Sequence, residues 1–111
     1  MRINKWEVWY ASVQYTENKD ITKNRPVVIA HTVSDIVSVY YVTTKLRQPA
    51  ESYPNDYTIV KWSEAGFGKP SYIRLTETLL LSKSDLIEKL GTLSENDILR
   101  IMFKTQCRIT S

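Results

Sequence analysis

Short runs of β-branched and aromatic residues, divided by polar turn sequences, are the feature that most constrains the fold of this 111-residue chain. The runs are WEVWYASVQY, PVVIAH, VSVYYVTT, YTIVKW and SYIRLTETLLL, and each is typical of a β-strand. The pieces TVSD and SEAGFGKP supply turns between neighbouring runs. A further strand-like piece lies near Leu86 to Leu90, and Gly91 is expected to mark the turn after it. The sequence therefore predicts an antiparallel β-sheet that uses most of the chain.

The C-terminal sequence changes from strand-like to helical. Ser94 is followed three residues later by Asp97, a pair that resembles a helix capping box with a shorter acid. Ile98, Ile101 and Met102 recur at helical spacing, which predicts an amphipathic helix over residues 95–106. Strands with turn signals and one terminal helix predict a mainly β fold: a small antiparallel barrel, closed or nearly closed, with a C-terminal α-helix. The length suits one domain over residues 1–111.

Two polar stretches interrupt the strands and are the expected places for function. The first, TENKDITKN, is long for a hairpin turn and has no hydrophobic periodicity. It is either an ordinary surface excursion or a functional loop. The second, KLRQPAESYPND, contains two prolines and mixed charges.

Charge and cysteine content narrow the class of protein. A formal net charge of +3 and a pI near 9.0 permit a polyanionic partner without requiring one. The chain has one cysteine, Cys107, so it has no internal disulfide framework, and we expect a reducing, cytoplasmic setting. No apolar run approaches the ~20 residues of a membrane span, and the charged N-terminal sequence is unlike a signal peptide. We therefore expect no membrane partner.

Several segments carry a family resemblance. EVWYASV, NRPVVIAHT, VYYVTTK, YTIVKW, GFGKPSYIRL and IEKLGTLSENDI together resemble the MazF and PemK toxins of bacterial toxin–antitoxin pairs, and most of all the PemK-like branch. The most specific elements are Arg25-Pro26, which opens the second strand, Thr43 at the end of the third, and a late Gly-x-Leu-Ser before the helix. The resemblance implies an SH3-like barrel, a homodimer, and cleavage of single-stranded RNA without a metal or other cofactor. It also implies a cognate antitoxin protein, with DNA contacted only through the antitoxin complex.

The residue types agree with a metal-independent reaction. One His and one Cys, without an acidic doublet on a shared strand face, do not favour a metal site, and two-histidine acid–base cleavage is excluded by the count. For RNA, the remaining route is attack of the substrate's own 2′-hydroxyl on the adjacent phosphate. The protein then positions the RNA backbone and stabilises charge on the phosphoryl oxygens.

Arg25 and Thr43 are the predicted catalytic residues, and these roles follow from the resemblance. The planar guanidinium of Arg25 suits a phosphate clamp, with a second role as proton donor, because it can engage two phosphate oxygens and stays charged. Thr43 would give a hydroxyl hydrogen bond to the phosphate. Pro26 biases Arg25 toward an extended backbone, which would aim the guanidinium from the rim of the barrel. The alternative is a solvated cation at a strand end, with Pro26 marking an edge.

Other residues are candidates for RNA contact, each with an ordinary structural alternative. Tyr53 and Tyr57 flank a polar turn and are predicted to be exposed platforms for bases, where stacking contributes about 1–3 kcal/mol per base. Arg74 would touch RNA, brace a dimer or form a structural ion pair. The basic loop residues would attract phosphate or be simply solvated. The predicted RNA-binding set is Lys19, Lys23, Thr44, Lys45, Arg47, Tyr53, Tyr57 and Arg74.

His31 has the side chain type best suited to a general base, with an unperturbed pKa near ~6.5. It lies six residues beyond Arg25, about 20 Å along an extended strand, so we interpret it as a surface or strand-end histidine. The sequence does not identify the general base. The loop TENKDITKN lacks the glycines usual before the Arg in MazF-type toxins. A second interpretation is therefore a non-catalytic SH3-like module that contacts nucleic acid or a protein partner.

Overall fold

A computed structural model of the chain describes residues 2–14, 22–46 and 48–110, with side chains up to residue 105. Over these ranges the backbone forms six strands and one α-helix. Two short 3-10 turns occupy Ala50–Ser52 and Lys83–Asp85. The strands are β1 (Glu7–Gln14), β2 (Thr22–Val33), β3 (Ile36–Thr43), β4 (Asp56–Thr58), β5 (Tyr72–Ser82) and β6 (Leu86–Thr92), and the helix is α1 (Glu95–Thr110).

All six strands belong to one antiparallel sheet with the order β4-β5-β3-β2-β1-β6. The predicted mainly β fold with a C-terminal helix is confirmed. The two outer strands of this order, β4 and β6, do not pair with each other within the described ranges, so strand pairing does not fully close the barrel. None of the described helices is long and apolar enough to cross a membrane.

Each face of the sheet carries its own apolar cluster, because side chains alternate along the strands. Val8, Val28, Val42 and Ile73 belong to the first cluster, which also includes Ile101 of α1. The second cluster lies on the opposite face and includes Trp9, Val27, Ile29, Val37 and Val39. Toward one end of the sheet, β2 and β3 carry further side chains on this second face. These side chains reach the candidate site.

Asp97 of α1 joins the helix to the part of the chain that follows β4. Its side chain is fully buried and accepts hydrogen bonds from the Tyr57 hydroxyl at 2.5 Å and from the backbone N–H groups of Val60 and Lys61 at 2.9 and 3.0 Å. The Ser94 hydroxyl donates to it at 2.9 Å, and the Asp97 N–H donates back to Ser94 at 3.1 Å. The predicted helix start and cap are therefore confirmed, but the acid bonds mainly to another segment rather than back to the cap backbone.

Two predicted boundaries are wrong for reasons that the packing explains. YTIVKW was predicted as a strand, but β4 ends at Thr58, because the N–H groups of Val60 and Lys61 bond to Asp97 instead of to a neighbouring strand. Gly91 was predicted to mark a turn, but it lies inside β6. A Cβ at Gly91 would overlap the backbone carbonyl of Ala65, so this glycine permits close contact between the 60–67 segment and β6.

The remaining strand predictions agree with the structure, with shifted ends. β1 and the β2–β3 hairpin are confirmed, and β2 begins at Thr22, inside the stretch predicted as a loop. The rest of that stretch lies outside the described residues. The helix begins at Glu95 as predicted and continues to Thr110, beyond the predicted end at residue 106.

Glu7 is a second buried carboxylate, at the start of β1. Its side chain accepts from the Asn4 N–H at 2.9 Å and the Trp9 indole at 3.0 Å, and it pairs with Lys89 of β6 at 3.0 Å. Burial alone would raise the pKa of Glu7, but these hydrogen bonds outweigh burial and lower the pKa to about 2. The group therefore ties the N-terminal segment and β6 to β1.

Candidate active site

A cleft of about 380 Å³ opens where β2 and β3 separate. The ladder between these strands runs from Val33↔Ile36 to Val28↔Tyr40. Beyond it, β2 pairs only with β1, and residues 41–43 of β3 pair only with β5. The two strand ends therefore diverge and leave a gap between them. The cleft is lined by Arg25, Pro26, Tyr41, Val42, Thr43, Thr44, Lys45, Ser71 and Arg74.

Arg25 reaches the cleft because of its place on β2. It lies opposite Ala11 of β1 and shares a sheet face with Val27 and Ile29, two and four residues further along. Pro26 has no N–H to donate, and it sits past the end of the β2–β3 ladder, where no bond to β3 is lost. The strand can therefore carry Arg25-Pro26 at the cleft without a gap in its pairing to β1.

Tyr41 lies between two arginines. Its hydroxyl accepts a hydrogen bond from Nη1 of Arg25 at 2.8 Å. The guanidinium carbons of Arg25 and Arg74 lie 5.2 and 4.8 Å from the centre of its ring, within the range of a cation–π contact. One aromatic side chain thus contacts the cations that come from β2 and β5.

Thr43 stands at the end of β3, two residues after Tyr41 and on the same face. Its Oγ1 accepts the backbone N–H of Lys45 at 3.1 Å, which restrains the position of this oxygen. Because that bond uses a lone pair, the O–H proton can still be donated to a phosphate oxygen. Ser71, which is buried, closes the cleft from the segment before β5, and its hydroxyl donates to the Lys69 carbonyl at 2.9 Å.

The cleft is electropositive. Arg25, Lys45 and Arg74 line it, and none of the described lining residues is acidic. Arg74 pairs with Glu77 at 3.4 Å, while its Nε is buried and makes no hydrogen bond within the described part of the chain. The Arg74 guanidinium as a whole lines the cleft and could bond an acceptor there, such as a phosphate oxygen.

The sequence matches a family model over most of its length. That model describes the PemK-like, MazF-like toxins of type II toxin-antitoxin systems, and it matches residues 4–104. The chain belongs to this toxin family. No curated protein shows a significant sequence match to this PemK/MazF-like toxin.

Solved structures show the same fold. An endoribonuclease from a mycobacterial species, in complex with its cognate antitoxin, is similar with a TM-score of 0.69 at 15% identity, covering 98% of this toxin and 96% of that chain. The Mycobacterium tuberculosis toxin MazF-mt6 is similar with a TM-score of 0.67 at 19% identity, covering 88% and 90%. A second mycobacterial endoribonuclease has a TM-score of 0.66 at 14% identity, covering 96% and 89%.

Five of the sequence-predicted site residues of this toxin come together in the cleft. They are supplied by three separate parts of the chain, β2, the end of β3 with the residues after it, and β5. The five are Arg25, Thr43, Thr44, Lys45 and Arg74.

The other predicted residues that the structure describes do not line the cleft. The expectation that Tyr57 is an exposed base platform is wrong, because its side chain is 7% exposed and its hydroxyl bonds to Asp97 in the core. Tyr53 is half-buried beside the 3-10 turn Ala50–Ser52 and does not line the cleft. Lys23 is exposed on β2 opposite Val13. The predictions for Lys19 and Arg47 fall outside the described residues.

His31 lies outside the cleft. It is exposed on β2 and lies opposite Ser38 of β3. Across residues 2–14, 22–46 and 48–105, no three His, Cys, Asp or Glu side chains come together in a group that could hold a metal ion.

Sequence reasoning missed Tyr41. The signal was its spacing: Tyr41 and Thr43 are two residues apart on one strand and therefore face the same way. Tyr41 was assigned to a strand from the sequence, without the observation that it neighbours the predicted catalytic threonine. The separation of β2 from β3, which opens the cleft beside it, leaves no mark in the sequence.

Proposed function

We propose that this toxin is an endoribonuclease that cleaves single-stranded RNA in the cleft between β2 and β3, without a metal ion. The observation that carries the proposal is the meeting of Arg25 and Thr43 in one electropositive cleft, with Arg74 beside them. A guanidinium, an oriented hydroxyl and a second guanidinium are the groups that a phosphodiester needs for positioning and charge stabilisation. The endoribonucleases with the same fold support this assignment.

The reaction that fits these groups uses the RNA's own nucleophile. The 2′-hydroxyl of the ribose loses its proton and its oxygen attacks the adjacent phosphorus. The bond from phosphorus to the 5′-oxygen breaks and that oxygen takes up a proton, so the products are a 2′,3′-cyclic phosphate and a 5′-hydroxyl. Arg25 would hold two phosphoryl oxygens and stabilise the charge that grows on them in the transition state. Thr43 would donate its hydroxyl proton in a hydrogen bond to the same phosphate. Both roles are positional and electrostatic, so neither requires a bound metal.

The proposal extends to partners. We propose that residues 1–111 act as one cytoplasmic domain, pair as a homodimer, and are silenced by a cognate antitoxin, with DNA contacted only through the antitoxin complex. Membership of a type II toxin-antitoxin family supports the proposal that a cognate antitoxin binds this toxin. One structure of the same fold was solved with its own cognate antitoxin.

The test is cleavage of a mixed-sequence single-stranded RNA by purified protein in excess EDTA, with analysis of product ends by mass spectrometry. Products that end in 2′,3′-cyclic phosphate are expected. His31→Ala is the matched control and should keep the wild-type rate, because His31 does not line the cleft. An RNA that stays intact at high protein concentration would contradict the proposal and favour the non-catalytic binding module. Cleavage that occurs only when metal is restored would contradict metal independence.

A further inference from the structure

Tyr41 contacts both arginines of the cleft. We infer that Tyr41 is a positioning residue that holds the guanidinium groups of Arg25 and Arg74 in the cleft, an inference that rests on the proposed RNA cleavage. Its hydroxyl accepts from Arg25 at 2.8 Å, and its ring centre lies 4.8 Å from the guanidinium carbon of Arg74. The tyrosine acts through the arginines and therefore sets where they meet the phosphate.

The contact with Arg74 depends on an irregularity of the sheet. In the β3–β5 ladder Tyr40 lies opposite Thr78, whereas Tyr41 lies opposite Arg74, so three residues of β5 between them have no partner on β3. This bulge re-aims β5 and brings Arg74 directly across from Tyr41. Side chains that lie opposite each other in an antiparallel pair share a face of the sheet. The bulge therefore determines that ring and guanidinium meet.

Two guanidinium groups in one cleft repel each other, and each is on a flexible side chain. The negative face of an aromatic ring attracts a cation, and a phenol oxygen that accepts a hydrogen bond favours a second one. Tyr41 offers both, so it reduces the cost of keeping two cations close before RNA arrives. A misdirected guanidinium can still attract RNA by charge but no longer matches the phosphoryl oxygens in the transition state. Loss of Tyr41 should therefore lower the cleavage rate far more than RNA affinity.

Two variants separate the contributions of the hydroxyl and the ring. Tyr41→Phe keeps the ring and removes the acceptor for Arg25; we expect the single-turnover rate to fall about tenfold, the effect of losing one hydrogen bond to a charged group. Tyr41→Leu also removes the ring beside Arg74 and should cost about a hundredfold. Affinity for an uncleavable RNA, with 2′-deoxyribose at the scissile nucleotide, should change by less than about threefold for either variant. Tyr40→Phe is the matched control, because Tyr40 is the neighbouring tyrosine and packs against the apolar cluster on the other face of the sheet.

A double-mutant cycle decides whether Tyr41 acts through Arg25. If it does, Tyr41→Phe should have almost no further effect on the rate in an Arg25→Ala background. A full tenfold loss in that background would overturn the inference, as would an unchanged rate for Tyr41→Phe alone.

The proposed function and the inference can fail separately. If wild-type protein cleaves nothing, the function is refuted, and the arginine side-chain NMR signals still test the inference. Tyr41→Phe should then shift the guanidinium ¹⁵N signals of Arg25, while Tyr40→Phe leaves them in place. An unchanged Arg25 signal in Tyr41→Phe would refute the positioning role whatever the activity.

Discussion

Replacing Asp97 with alanine should strongly destabilise the fold, because Asp97 connects three parts of it. Its carboxylate accepts from the Tyr57 hydroxyl, the N–H groups of Val60 and Lys61, and the Ser94 hydroxyl. These bonds attach the N-terminus of α1 to β4 and to the segment that follows β4. The side chain is fully buried, so water cannot replace it without opening the helix contact.

The loss of folding free energy depends on the hydrogen-bond donors that Asp97→Ala leaves without an acceptor. Breaking a buried, hydrogen-bonded charge network by removing one partner costs about 3–5 kcal/mol. Tyr57→Phe should cost about 1–2 kcal/mol, because Asp97 keeps three donors and no buried hydroxyl is left without an acceptor. In the Tyr57→Phe background, Asp97→Ala should cost less than it does alone, since the Tyr57 hydroxyl is no longer there to be orphaned. Glu95→Ala, at an exposed acid in the first helical turn, is the matched control and should cost about 0.5 kcal/mol or less.

The assay is urea unfolding followed by tryptophan fluorescence at several pH values. Burial alone would raise the pKa of Asp97, but the bonds from Tyr57, Val60, Lys61 and Ser94 outweigh burial and lower it below the ordinary 3.8. A lowered folded-state pKa contributes stability above 3.8 that is lost as the pH falls below it. The advantage of wild type over Asp97→Asn should therefore shrink below that pH. A cost under about 1 kcal/mol for Asp97→Ala at neutral pH would refute the connecting role.

Three other outcomes follow from the same structure. Glu7→Gln should remove stability that wild type holds above pH 4.5 and loses between pH 4.5 and about 2, so the two urea midpoints should converge on acidification. Gly91→Ala should cost about 1–3 kcal/mol, because its Cβ would overlap the Ala65 carbonyl, whereas Gly68→Ala, with open space around it, should change the urea midpoint little. Sedimentation should give the mass of a dimer, as expected of the proposed homodimer, and a sharp monomer at tens of micromolar protein would contradict the dimer proposal.

Strand content and the helix start could be predicted from the sequence because they depend on local patterns. β-Branched runs predicted β1 and the β2–β3 hairpin, and Ser94 with Asp97 predicted the start of α1. Arg25, Thr43 and Arg74 were found through the family resemblance, and they meet in one cleft.

What the sequence did not reveal depends on contacts between distant residues. Tyr57 was expected at the surface, yet it is buried because a carboxylate forty residues later bonds to its hydroxyl. β4 was expected to be longer, yet the same carboxylate takes the N–H groups that would have continued the strand. The role of Tyr41 depends on the β5 bulge, which places Arg74 opposite it.

The most direct test of the central claim compares single-turnover RNA cleavage in EDTA for wild type, Arg25→Ala and Arg25→Lys, with urea unfolding of each. If Arg25 clamps the scissile phosphate, alanine should cost about 3 kcal/mol of transition-state stabilisation, roughly a hundredfold or more in rate. Lysine should rescue little, because a point charge does not reproduce the bidentate geometry, and the urea midpoints should stay close to wild type. Wild-type cleavage rates for Arg25→Ala would contradict the account and exclude the cleft between β2 and β3 as the active site.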